Sequence, residues 1–468
     1  MELDMTKGKP TKLLVLFMGP LIIGNIFQQL YSMADTIIVG HFVGVDALAA
    51  VGATGSITFL ILGFTQGLTT GFTIMTAQRF GAGDREGMKQ SIGSAYILSA
   101  ILAVVMTVIS ITQMDRLLQI MNTPDDIYDM TKRYIIIICA GIACNVLYNL
   151  LASIMRSIGN SLIPLVFLVI AAVMNVALDI LFIAVFQMGV EGAAYATVIA
   201  QGVSGLLCLV YMLVWVPALR IERRHWKFDW SFAKNQLSVG LPMALQYSIT
   251  AIGAIFVQTA LNLLGSTVVA AYSVACKVEQ FVTQPFGAMG TTMATYGAQN
   301  RGVNDLERIK KGVKSASIMS IIYSVVIYGV LMLMLPLMVR LFVAADEVAK
   351  VYEYVWIYAV LCGAFFIPLG LIFVFRHVLQ GCGFGLLPMF GGVVELVGRG
   401  VVAFIAAKNL SYVGVCMGNV IAWVSAAVYF IVIYVILMKF MEKRKAAHES
   451  LSASSLSNNN PAKNQSGR

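Results

Sequence analysis

Residues 76–89 read TAQRFGAGDREGMK, and residues 297–310 read GAQNRGVNDLERIK. Two further pairs of stretches repeat at a similar separation: GVDALAAVG (44–52) with GSTVVAAYS (265–273), and RSIGNSLIP (156–164) with QGCGFGLLP (380–388). The chain is therefore a duplication in which the same short stretches occur in the same order in each half. Duplicated halves around a central site are typical of membrane transporters, in which one bundle of helices rocks against the other.

The composition between these stretches is that of a membrane protein. Of 468 residues, 59% are hydrophobic and only 12% are charged, more apolar surface than a soluble fold of this size buries. The apolar runs are repeatedly about 20 residues or longer, which is the length that spans a bilayer. We predict an all-α integral membrane protein with about twelve spanning helices, near residues 13–40, 47–77, 91–112, 132–154, 163–187, 191–216, 238–264, 268–298, 314–342, 352–378, 386–407 and 413–438.

The basic residues report orientation. With both termini placed in the cytoplasm, most of the 32 Lys and Arg fall in cytoplasmic segments, and Lys277 and Arg399 fall within helices. The predicted outer loops hold Arg116, Lys132, Arg133, Arg340, Lys350 and Lys408. This asymmetry is the positive-inside pattern of a multi-pass cell-membrane protein, so the net charge of +9 does not indicate a nucleic-acid partner.

The same reading divides the chain into five parts. We predict a cytoplasmic N-terminus (1–12), a six-helix lobe (13–216), a cytoplasmic linker (217–237), a second six-helix lobe (238–440) and a disordered cytoplasmic tail (441–468). Six helices per lobe give the two copies the same orientation in the membrane. Gly63, Gly67 and Gly71 share one helix face, which predicts close packing within a bundle.

Acidic and polar residues lie inside the apolar segments of the first half. Asp35, in YSMADTIIVG (31–40), and Asp179 are expected in the outer half of the membrane at similar depth, with Asn175 one turn before Asp179 and Thr197 on the sixth helix. Intramembrane acids are costly, and they usually face a cavity and mark an ion or proton path. Their oxygens also suit a small hard cation such as Na⁺. The alternative is that Asp35 is hydrated near the interface, or that Asp179 merely bonds a neighbouring helix.

The second half carries a different set of charges. Lys277 and Glu279 lie on the predicted eighth helix, and Glu395 and Arg399 on the eleventh. Glu395 precedes Arg399 by four residues, which is a good spacing for a helical salt bridge. We expect structural pairing for these residues, with contact to a substrate as the alternative.

Nothing in the sequence indicates an enzyme. The seven cysteines are not paired by spacing, the four histidines are scattered, and no nucleophile–base pair is recognisable. We expect no cofactor and no bound metal other than a coupling ion.

Taken together, the two repeated halves, YSMADTIIVG, AQRFGAGD with AQNRGVND, and MNVALDILF (174–182) resemble the multidrug and toxic compound extrusion (MATE) transporters, and the DinF-like branch more than the NorM-like one. The resemblance implies a V-shaped pair of lobes that exports amphiphilic, often cationic drugs in exchange for H⁺ or Na⁺, with a role in antibiotic resistance. It implies a cation site at Asp35, Asn175, Asp179 and Thr197, and a bend in the first helix at Pro20. It also implies a bacterial cell-membrane protein, a monomer whose partners are lipid and a small-molecule substrate.

Three other readings remain open from the sequence. A lipid-linked sugar flippase of the same superfamily would need a cationic groove for pyrophosphate, and we place only Lys277 and Arg399 inside helices. The other two alternatives are a membrane-embedded enzyme and a scaffold without transport, and neither of them explains why the halves are duplicated.

Overall fold

Long apolar helices make up the described part of the chain, which comprises residues 3–121, 123–343 and 348–458 of a computed structural model. In chain order the helices are α1 (Pro10–Phe42), α2 (Val45–Ala53), α3 (Gly55–Gly81), α4 (Arg85–Ile120), α5 (Asp125–Ala140), α6 (Ile142–Ser157), α7 (Leu162–Asp179), α8 (Val190–Trp215), α9 (Trp230–Asn262), α10 (Ser266–Gly302), α11 (Leu306–Phe342), α12 (Val348–Gly363), α13 (Phe366–Gly381), α14 (Leu386–Lys408) and α15 (Tyr412–Asn458).

These helices form twelve membrane-length segments. Nine segments in the described residues are long and apolar enough to cross a membrane alone, with α2 and α3 counted as one. The pairs α5–α6 and α12–α13, bent by 46° and 51°, each supply one more. The remaining segment is α10, which has 37 residues and is less apolar because it carries Lys277 and Glu279. The predicted all-α architecture of about twelve spanning helices is confirmed: α1–α8 form the N-lobe and α9–α15 the C-lobe.

Two predicted boundaries differ from the structure. The linker expected at 217–237 ends earlier, because α9 begins at Trp230 where the Asp229 carboxylate accepts the Ser231 N–H at 2.7 Å. The tail predicted as disordered from residue 441 is helical as far as Asn458, since the segment FMEKRKAAHE (440–449) consists mostly of strong helix formers. Residues 459–468 of that predicted tail lie outside the described residues.

The two lobes meet along the small-residue face of α3. A Cβ atom on Gly71 would lie 2.3 Å from Gly240 Cα, and one on Gly67 would lie 2.7 Å from Ala244 Cα, both on α9. The prediction that this glycine face packs within one bundle is therefore wrong, since it packs between the two lobes. The face of small residues was visible in the sequence, whereas its partner helix was not.

The repeated stretches at 76–89 and 297–310 also lie against each other. A Cβ atom on Gly81 would lie 2.1 Å from Gln299 O, and one on Gly302 would lie 1.9 Å from Gln78 O. We call this end of the molecule, which also holds the N-terminus and the 216–229 linker, the linker face. The glycines allow the backbones of α3 and α10 to touch there, so the lobes are closed together at the linker face.

The N-terminal segment is wedged into the same closure. Met5 is fully buried, its N–H donates to Gln299 Oε1 at 2.8 Å, and its carbonyl accepts from Arg308 Nε at 3.0 Å. Gln299 Nε2 in turn donates to Ser157 O of the N-lobe at 2.9 Å. The predicted polar N-terminus 1–12 is therefore, from Leu3 onward, part of the contact between the lobes.

Helix α1 belongs to both lobes. Leu14 and Phe17 lie in the hydrophobic core of the C-lobe, whereas Val39 lies in a core cluster of the N-lobe. Pro20 lies inside the continuous helix between these two regions. Because proline removes one intrahelical hydrogen bond, α1 is weakest where it crosses from one lobe to the other.

Candidate functional site

Three of the predicted site residues form a polar cluster at the end of α7. Asp179 is the last residue of α7 and is followed by a π-helix over Ile180–Val185. Asn175, one turn earlier, has its Nδ2 3.4 Å from Thr197 Oγ1 of α8. Rotating the Asn175 amide by 180° satisfies both of its polar atoms, since Nδ2 then donates to Asp179 Oδ2 and Oδ1 accepts the Thr197 N–H, each at 3.3 Å. π-Helical turns of this kind are frequent at functional sites.

Asp35 approaches this cluster from α1. The Asp35 and Asp179 carboxylates lie within range of direct electrostatic interaction, and Tyr31 interacts with both. Asp179 is buried and Asp35 is half-buried. One oxygen of each carboxylate, Oδ1, is buried without a hydrogen-bond partner. Since buried polar atoms are normally paired, the two orphaned oxygens mark a place where a proton, a cation or water belongs.

The donor set of this site consists of hard oxygens. Carboxylate, amide and hydroxyl oxygens suit a proton or a small hard cation, and here such an ion is cargo that enters and leaves. No group of three or more His, Cys, Asp or Glu side chains suited to a metal ion occurs within residues 3–121, 123–343 and 348–458.

A chamber of about 690 Å³ lies between the lobes, lined by α1 and α3 on one side and by α9, α10, α13, α14 and α15 on the other. It shares Asn25, Gln28 and Tyr31 with a second cavity of about 300 Å³ that reaches Pro20. Gln28 and Tyr31 also line the pocket that contains Asn175 and Thr197. A row of cavities with shared lining residues therefore runs from the central chamber to Asn175 and Thr197 of the polar cluster.

The charges of the C-lobe are paired differently from the prediction. Glu395 makes its ion pair with Arg376 of α13, at 3.9 Å between Nη1 and Oε1. The expected pairing with Arg399 is therefore wrong: Arg399 packs against Gly253 of α9 instead, within electrostatic range of Glu279 and Glu395. Arg376 is not among the predicted site residues, because it lies near the end of the predicted span 352–378, where basic residues are counted as cytoplasmic.

Lys277 and Glu279 point in different directions. Lys277 is exposed, whereas Glu279 is half-buried and accepts the Tyr358 O–H. Asn419 Nδ2 donates to the hydroxyls of Tyr272 and Tyr358, at 3.0 and 3.3 Å. Glu279 thus belongs to a hydrogen-bonded network inside the C-lobe and does not line the chamber.

Two six-helix lobes closed at one face, a chamber between them and carboxylates inside the spanning segments are the features of a membrane transporter. A protein-family model described as MatE matches residues 20–181 and 240–405. The chain belongs to this family of multidrug transporters.

Known relatives agree with that assignment. The chain is 30% identical over 318 residues to "Probable multidrug resistance protein YoeA" of Bacillus subtilis, covering 66% of this chain and 68% of that protein. It is 24% identical over 317 residues to "DNA damage-inducible protein F" of Escherichia coli, covering 66% and 68%. A solved structure titled "Outward-facing conformation of a multidrug resistance MATE family transporter of the MOP superfamily" superposes with a TM-score of 0.88 at 25% identity, over 94% of this chain and 98% of that one.

Proposed function

We propose that this protein is a secondary active antiporter that exports amphiphilic compounds in exchange for H⁺ or Na⁺. Asp35, Asn175, Asp179 and Thr197 bind the coupling ion. The observation that carries the proposal is the pair of buried carboxylate oxygens without hydrogen-bond partners, next to Asn175 and Thr197, where a row of cavities from the central chamber ends. A carboxylate oxygen without a hydrogen-bond partner can bind and release a proton or cation without breaking another interaction. Each binding or release changes the charge close to the path of the substrate.

The coupling follows from the position of α1. This helix carries Asp35, contacts both lobes and contains Pro20 at the crossing. An ion can shift the equilibrium between two conformations only if it binds one of them more tightly. Neutralising Asp35 changes the cost of holding its side chain among apolar neighbours, so α1 bends at Pro20 and the lobes reopen at the linker face, which we place in the cytoplasm.

The chamber suits a drug-sized amphiphile. Its volume of about 690 Å³ lies within the usual range for small-molecule sites of about 300–1,000 Å³. Phe59, Tyr247, Phe373 and Trp423 supply aromatic surface along the lining. YoeA is named as a probable multidrug resistance protein, which does not favour the sugar-flippase alternative, and no catalytic role is proposed. The protein acts as a monomer in the cell membrane of a bacterium, with both termini in the cytoplasm.

The test is efflux of a fluorescent cationic dye from cells that express Asp35→Asn or Asp179→Asn. Each substitution removes the exchangeable charge at nearly constant volume, so we expect efflux to fall at least about tenfold, equivalent to about 1.4 kcal/mol of lost coupling. Asp46→Asn is the matched control, because Asp46 is an exposed acid on α2 of the same lobe. Normal efflux by both site variants at normal expression contradicts the proposal. Proteoliposomes under separate pH and Na⁺ gradients then identify the ion.

A further inference from the structure

The lining of the central chamber divides sharply by lobe. The N-lobe side presents neutral groups, among them the amides of Asn25, Gln28, Gln29 and Gln66. The charged lining residues all come from the C-lobe: Arg376, Glu395 and Arg399. With His377 neutral, two guanidinium groups and one carboxylate leave this wall with a net charge of +1 (2 − 1); protonation of His377 would only add to it.

Arg376 is fixed in position from three sides. The Gln246 side-chain oxygen, with its amide in the rotated orientation, accepts from Arg376 Nε at 3.2 Å and from Nη1 at 2.8 Å. The guanidinium carbon lies 4.8 Å from the centre of the Phe373 ring. Its approach to Glu395, at 3.9 Å, is too long for a hydrogen bond, and Glu395 Oε1 has no hydrogen-bond partner. Arg376 is therefore held in place with its charge incompletely matched.

Arg399 lies in a space that a glycine leaves open. A Cβ atom on Gly253 would lie 3.1 Å from Arg399 Nη1, so the guanidinium packs directly on the backbone of α9. Arg399 Nε is buried without a hydrogen-bond partner. The nearby Glu279 is already bonded to Tyr358. A buried guanidinium nitrogen without a partner is costly, which indicates that a ligand completes the site.

We propose that Arg376 and Arg399 bind the carboxylate or phosphate group of a zwitterionic amphiphile, and that Glu395 faces its cationic centre. This inference rests on the proposed function and specifies its substrate class. Guanidinium groups bind planar oxyanions with charge-assisted hydrogen bonds. A simple organic cation meets a wall of net positive charge and gains only Glu395, whereas a zwitterion matches both signs.

A matched pair of dyes tests the proposal in purified full-length protein. Tetramethylrhodamine carries a free carboxylate beside its cationic ring system, and its methyl ester lacks only that anionic charge. Fluorescence polarisation gives the dissociation constant of each dye. We expect the parent to bind the acid about tenfold more tightly than the ester, the value of one charge-assisted hydrogen bond.

Variants decide whether the arginines cause this preference. We expect the two dyes to bind about equally to Arg399→Gln. In Glu395→Gln the preference for the acid increases, because the substitution removes the one negative charge on the wall that repels the carboxylate of the dye. Arg399→Lys keeps the charge without the planar fork and gives an intermediate ratio, which covers the case in which Arg399→Gln does not fold. Lys408→Gln, at the exposed end of the same helix, is the matched control and retains the parental ratio.

Two results overturn the inference: equal binding of the two dyes by the parent, or an Arg399→Gln variant that weakens both dyes equally while its unfolding temperature falls. The second result identifies Arg399 as a purely structural residue. Failure of the ion-coupling proposal gives a different result: Asp35→Asn still transports dye. The ratio of acid to ester binding in Asp35→Asn stays parental whether or not the ion-coupling proposal holds, so the two failures can be told apart.

Discussion

Replacing Gly71 with alanine tests the closure of the linker face most directly. The added Cβ would lie 2.3 Å from Gly240 Cα, and ordinary contact begins at 3.4 Å, so α3 and α9 must separate by about 1.1 Å (3.4 − 2.3). Overpacking of this kind costs about 1–3 kcal/mol, which corresponds to about a 5–150-fold shift between two conformations. The higher helix propensity of alanine does not offset this cost, since it stabilises α3 itself and not its contact with α9.

The assay is the labelling rate of Cys382 by a maleimide in a variant that keeps this cysteine alone. Cys382 is buried and lines the cleft at the linker face, so its labelling reports opening of that face. Gly71→Ala raises the rate about 5–150-fold, and Gly67→Ala raises it less because its overlap is smaller. Gly329→Ala is the control, since nothing lies within 4 Å of its added Cβ. Equal labelling of the Gly71 and Gly329 variants would show that the α3–α9 contact does not hold the face closed.

Two further predictions concern the same face. Gln299→Ala removes the bond that seats Met5 between the lobes, so we expect faster Cys382 labelling, and deletion of residues 1–6 must have the same effect if the wedge is the cause. The second concerns Asp84, whose pKa the hydrogen bond from Gly87 N–H lowers. A carboxyl whose folded-state pKa is lowered stabilises the fold above its unfolded pKa and loses that contribution as the pH falls through the folded pKa. Asp84→Ala costs about 1 kcal/mol at neutral pH, so we expect the difference in unfolding temperature between the parent and this variant to shrink as the pH is lowered. A difference that does not change with pH contradicts this reasoning.

The sequence predicted what depends on distance along a helix. Hydropathy and length predicted the spanning segments, and the repeated stretches predicted the two halves. Depth in the membrane follows from residue count, so Asp35 and Asp179 were expected at one level, where the structure places them within electrostatic range of each other. The one-turn spacing likewise placed Asn175 beside Asp179. These relations depend only on helix geometry.

Contacts between distant helices could not be read in the same way. The glycine face of α3 predicted a close neighbour without identifying α9. The position of Arg376 was missed because hydropathy locates helix ends to within a few residues only, and that error moves a charge from the chamber to the cytoplasm. The pairing of Glu395 with Arg376 across two helices, in preference to Arg399 on its own helix, depends on how α13 and α14 pack. Local spacing is not sufficient to decide between such partners.

The division of labour between the lobes follows from how their acids are partnered. In the C-lobe, Glu279 accepts the Tyr358 O–H and Glu395 lies beside Arg376, so uptake of a cation at either glutamate would first have to disrupt an existing interaction. Glu395 also has a buried oxygen without a hydrogen-bond partner, but it lies beside a cation, whereas no cation among the described residues acts on Asp35 or Asp179. Cation uptake at the two aspartates therefore displaces no existing ion pair. On our proposal the N-lobe is therefore the half whose charge changes during a cycle, and the C-lobe wall keeps a constant charge for the substrate. Helix α1 carries one of the exchangeable acids and is packed into the hydrophobic cores of both lobes. A change of charge at Asp35 that moves α1 therefore also moves the part of the C-lobe that packs against it.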